Sequence, residues 1–331
     1  MPVPGKKPRY CYTWASTGQR GQGSCYAATQ LFHRFHTVSM ARSHDLHSHS
    51  TRSDGTVSPT EVVERAAANG VSVLALTDHD VTDGIAEARQ AADRTGLVLI
   101  PGVEISATWE GRTIHIVGLN VDVDDAGLQD GLASLRAVRD ERGREIAARL
   151  ERAGIAGVYE GASAYATGTI LSRTHFARFL VDDGHAKDVG RAFKRWLHKG
   201  RPGYVPTEWT AMANAVAWIR GAGGRAVLAH PARYPFSGGQ MRRLLAEFRE
   251  AGGEGVEVVS GSHRPGETDR FARLAVEFGL LASAGSDYHG PELAWRDLGR
   301  LAPMPEECTP VWHDWPHAQA EHHDMIAGNS L

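Results

Sequence analysis

Thiol chemistry is almost missing from this chain. Its 331 residues include 3 cysteines, Cys11, Cys25 and Cys308, and none stands in Cys-x-x-Cys spacing. That excludes a disulfide framework and a thiolate zinc site, and it fits a reducing cytoplasm. No apolar run is long enough to cross a bilayer. Neither sign of charge dominates: a net charge of −3 gives no global nucleic-acid signal, so phosphate recognition has to be local. Internal repeats and low-complexity tracts are absent too. What remains is a chain 42% apolar and 23% charged. Its length suits one large soluble domain or a barrel carrying an insertion.

A further absence marks the first residues. Positions 1–44 hold no Asp or Glu, yet carry Lys6, Lys7, Arg9, Arg20, Arg34 and Arg42. Lacking a continuous apolar stretch, they do not read as a secretory signal. They read as an organellar transit peptide or as a non-native extension ahead of Met40. The second is the expectation for residues 1–40.

Imidazoles and carboxylates, by contrast, recur in order. His47 and His49 stand in Asp45-Leu-His-Ser-His-Ser50, Asp54 in Ser53-Asp-Gly55, His79 in Thr77-Asp-His-Asp80, and Glu104 in Pro101-Gly-Val-Glu104. His115 follows in Ile114-His-Ile116, His230 in Leu228-Ala-His-Pro231, and Asp287 and His289 in Gly285-Ser-Asp-Tyr-His289. Nitrogen and oxygen ligands without thiolate suit Zn, Mn or Fe. Residues i and i+2 of a strand share a face, so His47 with His49, and Asp287 with His289, can each reach one ion. Alone, His115 would read as a satisfied strand histidine. Among the 17 histidines, His33, His36, His313, His317, His322 and His323 receive no role, and His44 reads as an edge residue.

Apolar runs precede most of these groups: Val73-Leu-Ala-Leu76, Leu97-Val-Leu-Ile100, Ala226-Val-Leu-Ala229 and Leu280-Leu-Ala-Ser-Ala284. They read as buried parallel strands. Strand ends are expected near His47, His79, Glu104, Leu119, His230, Val259 and Ala284. A capped helix from Thr60 to Asn69 follows Ser58-Pro-Thr-Glu61, and another, near Gly84 to Thr95, closes at Gly96. Ligands at the ends of parallel strands mark the active face of an α/β barrel, here expected over residues 41–124 and 211–302. Between 125 and 210 the rhythm breaks into helices, Leu128 to Ala153, Arg173 to Asp182 and Asp188 to His198, read as a helical insertion capping the site. From 303 to 331 periodicity is lost, which reads as a loose tail. The insertion is rich in basic residues, most of them, Arg142 included, assigned to a solvated helix face. Arg173 in Ser172-Arg-Thr-His-Phe176 reads as part of a capped helix start or as a phosphate ligand. Lys199 and Arg201 in Lys199-Gly-Arg-Pro-Gly-Tyr204 read as turn residues or as a phosphate clamp. Arg233, close in sequence to His230, can reach the same anion, and its planar fork suits phosphate.

The complete ordered set resembles the PHP (polymerase and histidinol phosphatase) metallohydrolases, from about Asp45 to about Gly299. It is most similar to the branch of 5′-to-3′ exoribonucleases that also dephosphorylate nucleoside 3′,5′-bisphosphates. That resemblance implies a distorted seven-stranded β/α barrel and three divalent ions, Mn, Fe or Zn. It implies His47, His49, Glu104 and Asp287 on the first ion, Glu104, His115 and His230 on the second, and Asp54, His79 and His289 on the third. Glu104, Asp287 and His289 would be the catalytic residues around a hydroxide shared between two ions. Arg173, Lys199, Arg201 and Arg233 would bind substrate phosphate, and Asp78 and Asp80 would orient histidines. The implied substrate is a nucleotide or short RNA, handled in the cytoplasm without a membrane or an obligatory protein partner. Two other readings stand beside it: a small-molecule phosphatase such as histidinol-phosphate phosphatase, and a regulatory PHP module without activity. An amidohydrolase also opens on His-x-His, but Asp54 and Thr77-Asp-His-Asp80 fit PHP better. Deleting residues 1–39 is expected to leave activity and melting temperature nearly unchanged. A truncated chain that cannot fold would show that the leader packs on the rest.

Overall fold

Apolar runs of four to six residues become strands and the capped stretches between them become helices, in a computed structural model that describes residues 43–292 and 296–316. The expectations for residues 1–40 and 317–331, and for Cys11, Cys25, His33, His36, His317, His322 and His323, lie outside the described residues. β1 (His44–Asp45) leads into the loop carrying His47 and His49. α1 (Pro59–Ala68) starts at the expected box, in which the Glu61 N–H donates to Ser58 Oγ and the Ser58 N–H donates to the Glu61 carboxylate. β2 (Val73–Leu76) is buried throughout, and α2 (Ile85–Thr95) closes at Gly96 with φ 73°. β3 (Val98–Trp109) and β4 (Arg112–Leu119) are joined by Glu110 and Gly111, both at positive φ. Next come α3 (Ala126–Arg152), α4 (Val158–Ser163), α5 (Arg173–Asp182) and α6 (Val189–Ala192), which runs on into a π-helical turn, Phe193–Leu197. β5 (Thr210–Ala211), α7 (Met212–Gly221), β6 (Arg225–Leu228), α8 (Gly238–Glu250), β7 (Gly255–Ser260), α9 (Glu267–Phe278) and β8 (Leu281–Gly285) complete the order.

The sheet runs β1-β2-β3-β4-β6-β7-β8, with β5 paired to β3 outside that path. The Leu46 N–H donates to the Ala284 carbonyl at 2.8 Å, and the Asp287 N–H to the His47 carbonyl at 2.9 Å. The first strand thus meets the last, giving a nearly closed barrel of seven strands. One expectation needs correction: β4 lies antiparallel to both β3 and β6. A two-residue turn forces this, because a parallel return needs a long crossover. His115 consequently sits inside β4, opposite Ser106, and reaches the ligand-bearing end of the barrel because its strand runs backwards.

Alternate residues fill the barrel: Leu46, Val73, Ala75, Ile100, Val117, Leu119, Val227 and Ala229 form one buried cluster. The helical segment has its own core around Ile146, Leu150, Phe176, Leu180 and Leu197. α3 serves both, since its earlier Leu128, Leu132 and Leu135 pack with the barrel's outer layer. Among the described residues no helix is long and apolar enough to cross a membrane.

The segment after 303 differs from the loose tail expected. Val311 and Trp315 join the barrel's interior cluster. The Ala282 N–H donates to the Thr309 carbonyl, and the Val311 N–H to the Ala282 carbonyl, both at 2.8 Å. Trp312 stacks on His44 at 4.1 Å between centroids, and Arg225 grips Asp314 through two bonds of 3.0 and 2.9 Å. These partners start β1, β6 and β8, so the segment plugs the end of the barrel away from the ligands. Trp315→Ala is expected to cost about 3 kcal/mol, the lower range for a large buried side chain. Urea unfolding checks this, and an unchanged midpoint would show that the plug contributes nothing.

Candidate metal centre

Glu104, midway along β3, is buried, and five imidazoles crowd its carboxylate. His47 Nε2, His49 Nε2 and His79 Nδ1 lie 3.3, 3.2 and 2.9 Å from Oε2. His115 Nδ1 and His230 Nε2 lie 2.8 and 2.9 Å from Oε1. Asp287 Oδ1 stands 3.6 and 3.5 Å from His47 Nε2 and His49 Nε2. On the far side His289 Nε2 is 3.3 Å, and His79 Nε2 3.9 Å, from Asp54 Oδ1. All nine side chains singled out in the sequence therefore meet at one end of the barrel. Three groups have converging ligand atoms: His47, His49 and Glu104; His79, Glu104 and His115; and His49, Asp54, His79 and His289. These cut across the family-implied partition, because His49 and His79 each stand in two groups.

The atoms are placed for a cation rather than for one another. His79 Nδ1 and Glu104 Oε2 are only 2.9 Å apart, yet neither has a hydrogen-bond partner of acceptable geometry. His49 Nδ1, Asp54 Oδ1 and His230 Nδ1 are likewise buried and unpartnered. Orphaned polar atoms cost folding free energy, and divalent ions would satisfy several at once. Ionisation also fits. Burial, then the Arg233 charge, lowers His230 to about 3, leaving a neutral imidazole lone pair. Burial opposes charge on Glu104 and Asp287. His79, His115 and His47 around the first, and Arg233 and His289 around the second, still hold both carboxyls well below the usual range. Backbone strain marks the same places. Asp80, His230 and Asp287 adopt positive φ of 52°, 28° and 56°, costly for residues with a Cβ. Gly285 is required: a Cβ there would lie 2.3 Å from that of His47.

Sequence reasoning missed the residue that orients His47. Glu257 of β7, buried, accepts from His47 Nδ1 and takes the His230 N–H at 2.6 Å. A carboxylate behind a histidine fixes its tautomer and its ring. The available sign was a charge inside the apolar run Val256-Glu-Val-Val259. Asp78 and Asp80, expected to orient histidines, do something else. Asp78 accepts from the Ser50 N–H and from the Ser50 and Ser53 hydroxyls, fixing the loop between His49 and Asp54. Asp80 accepts from the Ser106 N–H and from Arg139 Nε. Asp54 is held from α5: Ser172 Oγ and Thr174 Oγ1 donate to Oδ2 at 3.2 and 2.9 Å, and Arg178 donates to its carbonyl at 2.7 Å. His175 is structural here, accepting the Ser172 N–H, with burial lowering it to about 4.

Above the ligands opens a cavity of about 1290 Å³, walled by the barrel and by the helical segment. Of the four residues expected to bind phosphate, Arg173, Lys199 and Arg233 line it, and Arg201 does not and is exposed. Arg233 Nη1 donates to Asp287 Oδ2 at 2.5 Å, joined by Arg296 at 3.2 Å, so Oδ1 alone faces the histidines. Arg142, assigned to solvent, instead lines the cavity beside Trp209.

The PHP domain family matches residues 45–201. A 3′,5′-nucleoside bisphosphate phosphatase of Chromobacterium violaceum is 48% identical, over 82% of this chain and 95% of its own. A 5′-3′ exoribonuclease of Haemophilus influenzae is 46% identical, over 82% and 99%. Among solved structures, an amidohydrolase from Chromobacterium violaceum with bound sulfate superposes with a TM-score of 0.79 and 47% identity. That match covers 84% of this chain and 96% of the other.

If Glu257 sets the tautomer of His47, Glu257→Gln lowers metal affinity by about 10–100-fold without unfolding the barrel. Competition against a graded chelator series reads this, and an unchanged affinity would remove Glu257 from the centre.

Proposed function

The chain belongs to the PHP family, and from that premise we propose that it is a metal-dependent phosphoesterase acting on nucleotides. Its reaction is 5′-to-3′ removal of nucleotides from short RNA, dephosphorylation of nucleoside 3′,5′-bisphosphates, or both. The observation that carries the reading is a cluster of nine imidazole and carboxylate side chains, seven of them in groups with converging ligand atoms and His230 and Asp287 beside them, beneath a large cavity walled by arginines. The two relatives are an enzyme of each kind, similar over most of their length.

We assign His47, His49, Asp54, His79, Glu104, His115, His230, Asp287 and His289 to three divalent ions, Mn, Fe or Zn. Bound there, such ions would polarise a water for attack on phosphorus and offset charge on the phosphoryl oxygens. The chain's own residues do the rest. Glu104 offers both carboxylate oxygens to the imidazoles around it, so it would help hold more than one of those ions. Asp287 and His289 close the site from the last strand. Arg233 stands on Asp287 and faces the cavity, where its remaining donors meet a phosphate above the ligands. Arg173 and Lys199 extend that grip from the helical segment. The exposed side chain of Arg201, outside the cavity lining, has no part in it.

Substrate size also favours a nucleotide. Small-molecule pockets commonly enclose about 300–1,000 Å³, and this cavity reaches 1290 Å³. The deciding assay sets adenosine 3′,5′-bisphosphate, AMP, histidinol phosphate and short 5′-phosphorylated RNA against protein of measured metal content. Turnover is expected for the bisphosphate or the RNA. It should vanish on chelation and in His47→Ala, whose circular dichroism stays that of the wild type. Arg233→Ala should lower kcat/KM by about 10–100-fold, the weight of a charged hydrogen bond. Preference for histidinol phosphate, or active protein without metal, overturns the reading.

A further inference from the structure

β4 and β6 deliver His115 and His230, which stand 2.8 and 2.9 Å from the same carboxylate oxygen, Glu104 Oε1. The other imidazoles around Glu104, those of His47, His49 and His79, face Oε2 instead. The ladder joining the two strands changes beside the first pair. Its register sets Ile116 opposite Leu228, so His115 faces Ala229 at the next step. Residues facing each other in an antiparallel ladder exchange two backbone bonds or none. Here one is made: the Ala229 N–H donates to the His115 carbonyl at 3.1 Å. A side chain stands in place of the second. The His115 N–H donates to the Tyr234 hydroxyl at 2.9 Å, and that hydroxyl donates to the Ala229 carbonyl at 3.0 Å. A hydroxyl can fill this position because it accepts and donates at once. Wedged between N–H and carbonyl, it spreads the strands on one side, at the point where the two ligands leave the ladder.

We propose that Tyr234 is a positioning residue, whose hydroxyl sets the spacing of His115 and His230 for an ion held with Glu104 Oε1. This rests on the metal-dependent reading and adds the device that shapes one of its ion sites. His230 shows why a clamp is needed. Its φ of 28° is costly for a residue with a Cβ, and such backbone persists only where its neighbours over-determine it. Glu257 takes its N–H at 2.6 Å, and Tyr234 holds the carbonyl just before it, that of Ala229. The Tyr234 ring also stands edge-on to the His230 imidazole, with centroids 5.6 Å apart, which limits the tilt of the ligand. Without the hydroxyl, the strands either close into a direct bond or leave an N–H and a carbonyl unpaired. The first displaces His115, and the second removes what holds it. His47, His49 and His79 follow β1 and β2, so they do not depend on this wedge.

The test compares Tyr234→Phe, which keeps the ring and its packing, with Trp315→Ala, which weakens the barrel at its opposite end. Melting temperatures of the metal-free chains establish that each folds. Equilibrium dialysis against graded Co2+, then Mn2+, counts the ions bound and gives their affinities. In Tyr234→Phe one class of site should weaken by about 10–100-fold, the scale for a group that orients a metal ligand. The remaining sites should match the wild type. At Co2+ concentrations that fill the wild type, the visible spectrum of the variant should lack the contribution of that ion. Trp315→Ala should bind as the wild type does, despite its lower melting temperature. An unchanged ion count and affinity in Tyr234→Phe overturns the inference, and wild-type turnover of nucleotides would then leave the proposed function intact. An equal loss in Trp315→Ala also overturns it, because general loosening of the barrel would explain both. So does wild-type protein that binds no ion, which removes the metal-dependent reading as well. One weakened site in Tyr234→Phe, beside wild-type protein that binds ions yet hydrolyses no nucleotide, has the opposite meaning: the positioning role stands and the proposed activity fails.

Discussion

Five imidazole nitrogens lie within 3.3 Å of one buried carboxylate, and much of the barrel is arranged around holding them there. Such a cluster opposes folding by itself, because lone pairs and partial charges of one kind are pressed together without water. The surroundings answer with rigid supports. β4 runs backwards and delivers His115 from mid-strand. Glu257 locks His47 and also the His230 backbone. Three ligand-bearing or adjacent residues hold left-handed backbone that only dense packing can impose. Divalent ions would turn this frustrated set into a satisfied one, so that affinity for metal and stability of the fold would draw on the same atoms.

The helical segment is tied to that centre through Asp54. Ser172 and Thr174, on either side of Arg173, both donate to its carboxylate. One helix start therefore supports a ligand and presents a cation to the cavity. A movement of α5 that adjusts to substrate must also tug on Asp54, and loss of the ligand would loosen the wall. This is the usual logic of supporting shells: precision at the centre depends on side chains that never touch the reactant.

Legibility varied with the kind of signal. That these nine side chains cluster could be read because strand geometry fixes i and i+2 on one face, and because apolar runs ahead of them announced strand ends. The helix caps at Ser58 and Gly96 were equally local. The direction of β4 was not read, although Glu110-Gly111 allowed a two-residue turn. Arg142 was misassigned for a deeper reason. α3 buries its first half against the barrel and its second against α5 and its neighbours. A single apolar stripe therefore could not say which way the residues at the changeover point. Glu257 carried a sign, a charge within a buried strand. The plug after 303 carried none, since contacts made by an irregular segment have no period.

That plug has a consequence for how the protein is made. Val311 and Trp315 fill the interior that Leu46 and Val73 begin, and β1 hydrogen-bonds to the strand that ends at Gly285. On the ribosome, where chains emerge N-terminus first at roughly 5–20 residues per second, the first strand meets β2 early but waits for its other neighbour until β8 has been made. During that interval its half of the ligand set has no Asp287 or His289 beside it. Closure waits for β8 and for the segment through Trp315, and the full set of candidate ligand side chains can meet only then.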